Sequence, residues 1–246
     1  HGTATLTLDS PHNRNALSTQ LIRELHEALD AADGSATRAI VLRHEGPAFC
    51  SGADLKERGA GDVADSTPMI RLMERLMDAA CPTIAAVDGA VRAGGMGVMA
   101  SCDLIVVNPR VTFSLPEVRI GVAPALVLVP LLRRVAPSLL AATTLTGEPI
   151  DAVTAQRIGL VTHVADDVAA QVATIVANVK LGAPTAVAES KRALWSIAGR
   201  DRTDALAAMK ALSESLFAGP DAQEGMRAFV EKRPPSWQSP TERPAR

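Results

Sequence analysis

The chain has 246 residues, a formal net charge of −2 and 47% apolar residues, which gives one or two globular domains with a substantial core. The near-neutral charge, spread without a dense basic stretch, excludes nucleic acid as the main partner. Four Phe, two Trp and no Tyr leave no stacking platform for single strands.

Residues 3–8 (TATLTL) alternate and read as a strand. Ser18 N-caps a helix to about Ala32, with Leu21, Ile22, Leu25, Leu29 and Ala32 on one face. Arg38–Arg43 (RAIVLR) is a buried strand, left through the loop 46–56, and 57–67 is polar, aperiodic and read as a mobile loop. A helix over 68–79 carries Ile70, Leu72, Met73, Leu76 and Met77; Cys81-Pro82 stops it, and TIAAV (83–87) is the next strand. A glycine turn at 89–95 opens a short helix, and a strand over 103–107 follows. Helices near 126–135 and 138–144 and a turn–helix–strand over 147–161 complete an alternation that implies parallel sheet with crossover helices.

Beyond Asp166 the pattern is helical. Pro184 suits a first helical turn, Thr203 opens a helix closed by Gly219-Pro220, and Asp221 with Glu224 reads as a capping box. Residues 234–246, with four prolines, read as a frayed end. No apolar run reaches the roughly 18 residues of a membrane span, and His1 opens no charged-then-apolar signal segment. Cys50, Cys81 and Cys102 are odd in number and lack metal-ligand spacing, and the five histidines form no ligand motif. A reduced, cytoplasmic protein without structural metal is expected.

Gly95–Ala100 satisfies G-x-G-x-x-A after a strand, the pattern of a dinucleotide site. Two details count against that reading. The helix has room only to about Ser101, and the second strand ends in Asn108-Pro109 rather than an acid. An anion site is the alternative. Gly94 and Gly95 sit where first-turn amides lack internal partners, and the loop Ser51-Gly52-Ala53-Asp54 could aim a second amide at the same point. Spacing alone is explained about as well by two tight turns. Glu117, set between Pro116 and Val118 with Leu115 before them, is the carboxylate nearest these turns. Apolar neighbours would desolvate it and raise its pKa toward the range useful for proton transfer. Backbone donors with one proton carrier are the minimum needed to handle an enolate.

The ordered stretches AFCSGADLKE, PTIAAVDGAVRAGGMGVMASCDL, TFSLPEVRIGVAP, LTGEPIDAVTAQRIGLVTHV and EGMRAFVEKR resemble the crotonase (enoyl-CoA hydratase/isomerase) superfamily over almost the whole chain. The resemblance implies an α/β fold, a crotonase-like spiral of ββα units over residues 1–183, with a helical C-terminal region over 184–246 serving oligomerisation and CoA contact. It implies an acyl-CoA thioester as substrate, no metal or redox cofactor (coenzyme A being part of the substrate), and assembly as homotrimer or hexamer. By the same resemblance, Ala53 and Gly94 supply oxyanion amides and Glu117 is catalytic. Asn15, Ala16, Ser51, Asp54, Leu55 and Lys56 would contact CoA, as would the C-terminal pair Phe229 and Lys232, in some relatives across a subunit boundary.

The chain also departs from the pattern. Hydratases of the family usually carry a second glutamate where Gly97 stands, the glycine triplet reads Ala93-Gly94-Gly95, and Pro124 leads into ALVLVP where glycines are usual. Hydration of a 2-enoyl-CoA to a 3-hydroxyacyl-CoA is the leading expectation. Δ3-Δ2 enoyl-CoA isomerisation, which needs one base only, is its rival, and a non-catalytic acyl-CoA-binding relative is a third reading. Arg92, where apolar residues are commoner, is expected in a scaffold salt bridge or, alternatively, facing a second carboxylate on the acyl group. The 57–67 loop and the apolar helix near 126–135 are expected to border the acyl pocket.

Overall fold

The computed structural model describes residues 2–34, 36–57 and 65–238. Strand β1 (Thr3–Leu8) leads through α1 (Thr19–Ala32) to β2 (Ala39–His44) and β3 (Ala48–Cys50). Helix α2 (Thr67–Asp78) carries the chain back to β4 (Thr83–Val87) and β5 (Ala90–Arg92), and α3 (Gly94–Ala100) to β6 (Leu104–Val107) and β7 (Thr112–Ser114). Each passage lays one strand in each of two sheets and closes with a helix, the spiral of ββα units expected from the resemblance. The first sheet has the order β1-β2-β4-β6 with β9 (His163–Val164) at its edge, all parallel. The second runs β3-β5-β7 in parallel and ends in β8 (Ile150–Asp151), which is antiparallel.

Period-two alternation explains why the first sheet is covered on both faces. Ile40, Leu42, Ala85, Val87, Ile105 and Val107 turn into the main core. Their neighbours Ala39, Val41, Ile84 and Val106 meet Val168, Val172 and Ile175 on α7 (Val168–Leu181). Helix α1 forms where expected: Ser18 Oγ accepts from Leu21 N at 3.1 Å, and Leu21, Leu25, Leu29 and Ala32 are buried. Helix α2 is turned by about one residue from the face read in the sequence. Met69, Leu72, Met73 and Leu76 are buried, whereas Ile70 is exposed.

After β7 come a 3₁₀ turn (Pro116–Ile120), α4 (Ala125–Leu132), α5 (Pro137–Thr146), and α6 (Ala152–Arg157) between β8 and β9. The expected strand near the end of 147–161 falls later, at β9, and β8 was not anticipated. The remaining helices are α8 (Pro184–Ser196), α9 (Arg202–Ala218) and α10 (Pro220–Val230). Asp201, not Thr203, caps α9, accepting from Thr203 N at 2.7 Å. The expected capping box is also absent. Pro220 takes the first helical position, for which its φ is preset, so Asp221 lies inside the helix. Glu224 instead holds Arg233 at 2.6 and 3.0 Å, which pulls its pKa down to about 2.

A buried ionic knot anchors α8 to the core. Lys191 Nζ lies 2.8 Å from Asp103 Oδ2 and donates to the carbonyls of Leu76 and Cys81. Asp103 also accepts from Thr83 and from Trp195 Nε1. Beyond this knot the C-terminal helices bury little. Leu206, Phe217, Phe229 and Val230 are exposed. Among the described residues no helix is long and apolar enough to cross a membrane. The region read as a mobile loop falls mostly, and the frayed end wholly in its last eight positions (239–246), outside the described residues.

Candidate active site

Three neighbouring parallel strands of the second sheet bring the site together. The chain leaves β3 at Cys50, β5 at Arg92 and β7 at Ser114, and within three residues of those ends lie Ala53, Gly94 and Glu117. Adjacent strands are about 4.8 Å apart, so three segments distant in sequence emerge side by side. The crevice outside the carboxyl ends of parallel strands is where such sheets bind ligands.

The Ala53 loop is pinned by a single parallel bridge to Leu17. Leu17 N donates to Gly52 O at 2.7 Å and Asp54 N to Leu17 O at 3.5 Å. A parallel bridge of this form uses the groups on either side of Ala53 and leaves its own N–H pointing the opposite way. Gly94 opens α3, and its amide belongs to the first helical turn, where no internal acceptor exists. Before it, Ala93 N donates to Ser114 O at 3.0 Å, which ties the turn to the end of β7.

These two loops touch. A Cβ built on Gly94 would lie 3.8 Å from Ala53 N and 3.7 Å from Gly52 Cα, and one built on Gly52 (φ +97°) would lie 3.4 Å from Gly94 N. At Gly52 the positive φ and the Ala93 Cβ, 2.6 Å away, leave room for glycine alone, whereas a Cβ at Gly94 would have to push aside Leu17 Cδ1 at 2.8 Å. The loops that carry the Ala53 and Gly94 amides are therefore in contact.

Glu117 is the second residue of the 3₁₀ turn. Val122 N returns to Glu117 O at 3.0 Å, and Arg119 Nε donates to Thr146 O at 2.9 Å at the end of α5. The Oε2 atom of Glu117 is buried with no hydrogen-bond partner. Burial raises the carboxyl pKa above its ordinary 4.5, opposed by the residue's own backbone. The direction matches expectation, but one assumed cause does not: Val118 is exposed, while Leu115 is fully buried. Helix α5, which packs against this turn, adds two buried hydroxyls without partners, Thr143 Oγ1 and Thr144 Oγ1. Sequence reasoning passed over them, since threonine within a helical run carries no signal.

At Gly97 a Cβ would stand 2.7 Å from Val127 Cγ1 and 3.1 Å from Met73 Sδ. An apolar wall, not an acid, occupies that quarter. Arg92 departs from the salt-bridge expectation. Its guanidinium donates to Thr112 O, to Thr112 Oγ1 at 2.8 Å and to Val91 O at 2.9 Å, and no carboxylate pairs with it among the described residues. It staples β5 to β7 through neutral oxygens and reaches toward the start of β7, away from Glu117.

The residues expected to meet CoA form one ledge with two exceptions. Ser51 N donates to Arg14 O at 3.1 Å, Ser51 Oγ to Asn13 O at 3.2 Å, and Asn13 Nδ2 to Asp54 Oδ2 at 3.2 Å. The 13–16 and 51–56 segments are thereby joined, with Ala16 buried and Leu55 and Lys56 exposed. Asn15 is buried with φ 53°. Its side chain is spent on the carbonyls of Glu45 and Ala48 and on Ser10 N, leaving it a bracing role. Phe229 and Lys232 stand apart at the end of α10, without a hydrogen bond or ion pair to the ledge among the described residues.

The dinucleotide reading fails on this geometry, since α3 has only seven residues and β6 ends at Val107. The fold is instead a spiral α/β arrangement in which the Ala53 and Gly94 loops touch and the half-buried Glu117 follows the neighbouring strand β7. The family model described as "Enoyl-CoA hydratase/isomerase" matches residues 1–240, and the chain belongs to that family. "Enoyl-CoA hydratase domain-containing protein 3, mitochondrial" of Danio rerio is 32% identical over 255 residues, 96% of this chain and 84% of the relative. A crystal structure of enoyl-CoA hydratase from Mycobacterium smegmatis superposes with a TM-score of 0.91 at 30% identity, covering 97% of this chain and 96% of that one. An enoyl-CoA hydratase from Mycobacterium avium is 41% identical with a TM-score of 0.71, covering 96% and 94%.

Proposed function

We propose that the chain is an enzyme that binds an acyl-CoA thioester along the 13–16 and 51–56 ledge and hydrates a 2-enoyl-CoA to the 3-hydroxyacyl-CoA. The observation that carries this reading is the convergence of the Ala53 and Gly94 loops beside the strand that delivers Glu117. The thioester oxygen sits between the two amides. As water attacks C3, its proton passes to the Glu117 carboxylate and the π electrons move onto the thioester oxygen, forming an enolate. Collapse of the enolate takes the proton from Glu117 to C2, which restores the carboxylate. Each donor amide contributes about 2.7–4 kcal/mol to lowering the barrier. The cycle involves no net oxidation and calls for no cofactor beyond the coenzyme A of the substrate.

Isomerisation of a 3-enoyl-CoA to the 2-enoyl-CoA is the second reading, favoured by the apolar wall at Gly97, because one base moving a proton between C2 and C4 suffices. Crotonyl-CoA and 3-hexenoyl-CoA separate the two. Loss of the enoyl absorbance with the first supports hydration, and activity on the second alone sinks it. Glu117→Gln should abolish turnover and keep CoA-thioester binding; unchanged turnover would remove Glu117 from the chemistry, and CoA-thioester binding without turnover in the parent would leave a non-catalytic binding protein. The exposed apolar residues of α9 and α10 support assembly as a homotrimer or hexamer, and a monomer by light scattering would refute it.

A further inference from the structure

The one departure in the glycine triplet has a structural counterpart. Ala93 stands at φ 50°, ψ −124°, a backbone region that glycine occupies freely and a residue with a Cβ enters only when its surroundings over-determine it. Its two peptide planes are indeed fixed, since Ala93 N donates to Ser114 O at 3.0 Å and Ala93 O accepts from Met96 N at 2.9 Å. What the strained alanine adds over glycine is one methyl group, and that methyl faces Gly52. A Cβ on Gly52 would lie 2.6 Å from the Ala93 Cβ. The methyl is therefore wedged between the two loops that carry the donor amides, one residue before Gly94 and one residue before Ala53.

We infer that the Ala93 methyl is the spacer that sets the separation of the two donors, a positioning residue for the enolate oxygen. This rests on the site reading above. Without the methyl the Gly52 loop can settle toward the turn before α3, and a displacement of about 1 Å in such a site can cost on the order of 100-fold in rate. Leu17 also spans the two loops, through its backbone bridge to Ala53 and its Cδ1, 2.8 Å from a Cβ built on Gly94, but it lies on the far side of Gly94 from the Ala93 methyl and leaves the gap between Ala93 and Gly52 to that methyl alone.

The test uses Ala93→Gly and Ala93→Ser in the full chain, with crotonyl-CoA or 3-hexenoyl-CoA as substrate, whichever the parent turns over. Glycine relieves the strain, so Ala93→Gly should melt no lower than the parent. Its kcat should nonetheless fall about 10–100-fold, with KM changed less than about threefold. Ala93→Ser keeps the Cβ and should stay within about threefold of the parent. Acetoacetyl-CoA, whose enolate absorbs in the ultraviolet, gives a readout independent of turnover. The fraction bound as enolate should drop in Ala93→Gly and persist in Ala93→Ser. Parent-like kcat and enolate signal in Ala93→Gly would overturn the spacer role, as would an Ala93→Ser as slow as Ala93→Gly. If Glu117→Gln is dead while Ala93→Gly matches the parent, the spacer alone falls. If the parent neither turns over substrate nor shows the enolate, the site reading falls with it.

Discussion

Gly97→Ala probes how closed the wall behind the site is. The new methyl would stand 2.7 Å from Val127 Cγ1 and 3.1 Å from both Val127 Cβ and Met73 Sδ. All three residues are buried, on α3, α4 and α2. Overpacking of this kind costs about 1–3 kcal/mol, and Gly to Ala inside a helix returns about 0.8–1 kcal/mol. The net destabilisation is about 0–2 kcal/mol. Val127→Ala removes two methyl groups, about 1.6 kcal/mol of transfer free energy, and a cavity term brings the total to about 2–3 kcal/mol. In the double variant the added methyl enters the space the valine vacates. Its destabilisation should be smaller than that of Val127→Ala alone, with a coupling free energy of about −1 to −3 kcal/mol. Urea unfolding of the four proteins supplies every term. Additivity within about 0.5 kcal/mol would show that the two residues do not share this space, and would remove the packing account of why no acid stands at residue 97.

Desolvation of Glu117 has a pH signature. As the base it must be ionised, so the acid limb of kcat/KM should lie above the ordinary 4.5; a limb at or below that value refutes the reasoning. The same raised pKa favours the protonated fold, so its contribution to stability is present below the ordinary value and lost as pH rises through the raised one. Lys191→Met strands the Asp103 carboxylate, whose side chain is only 12% exposed, and should cost about 3–5 kcal/mol in urea unfolding; a loss under about 1 kcal/mol would demote the knot to a surface pair. Arg92→Lys loses the fork that spans Thr112 O and Oγ1 and should destabilise by about 1–2 kcal/mol, while the ranking of mono- and dicarboxylic acyl-CoAs stays the same. A changed ranking would place the guanidinium at the acyl group.

The turns around the candidate site were legible because glycine and proline punctuate them. Gly52, Gly94 and Pro116 marked where the chain turns, while the roles expected of Ala53, Gly94 and Glu117 came from the resemblance. Arg92 shows the limit. Its departure from a commonly apolar position was legible, but its partner was not, because a carbonyl on the neighbouring strand carries no letter in the sequence. Thr143 and Thr144 were missed for a related reason: a hydroxyl becomes informative only when burial leaves it without a partner. The capping box at Asp221 failed through competition, as Pro220 claimed the first turn.

Local chemistry, then, was settled by the sequence: which residues turn, which strands alternate, which carboxylate follows a proline, and that residue 97 bears no acid. The tertiary structure alone decided that β3, β5 and β7 lie side by side, that the Ala53 and Gly94 loops touch, and that Val127 and Met73 fill the space beside Gly97. Turns and strands arise from torsions and periodicity within a few residues. Convergence arises from strand order and packing between segments dozens of positions apart, and no local pattern encodes that.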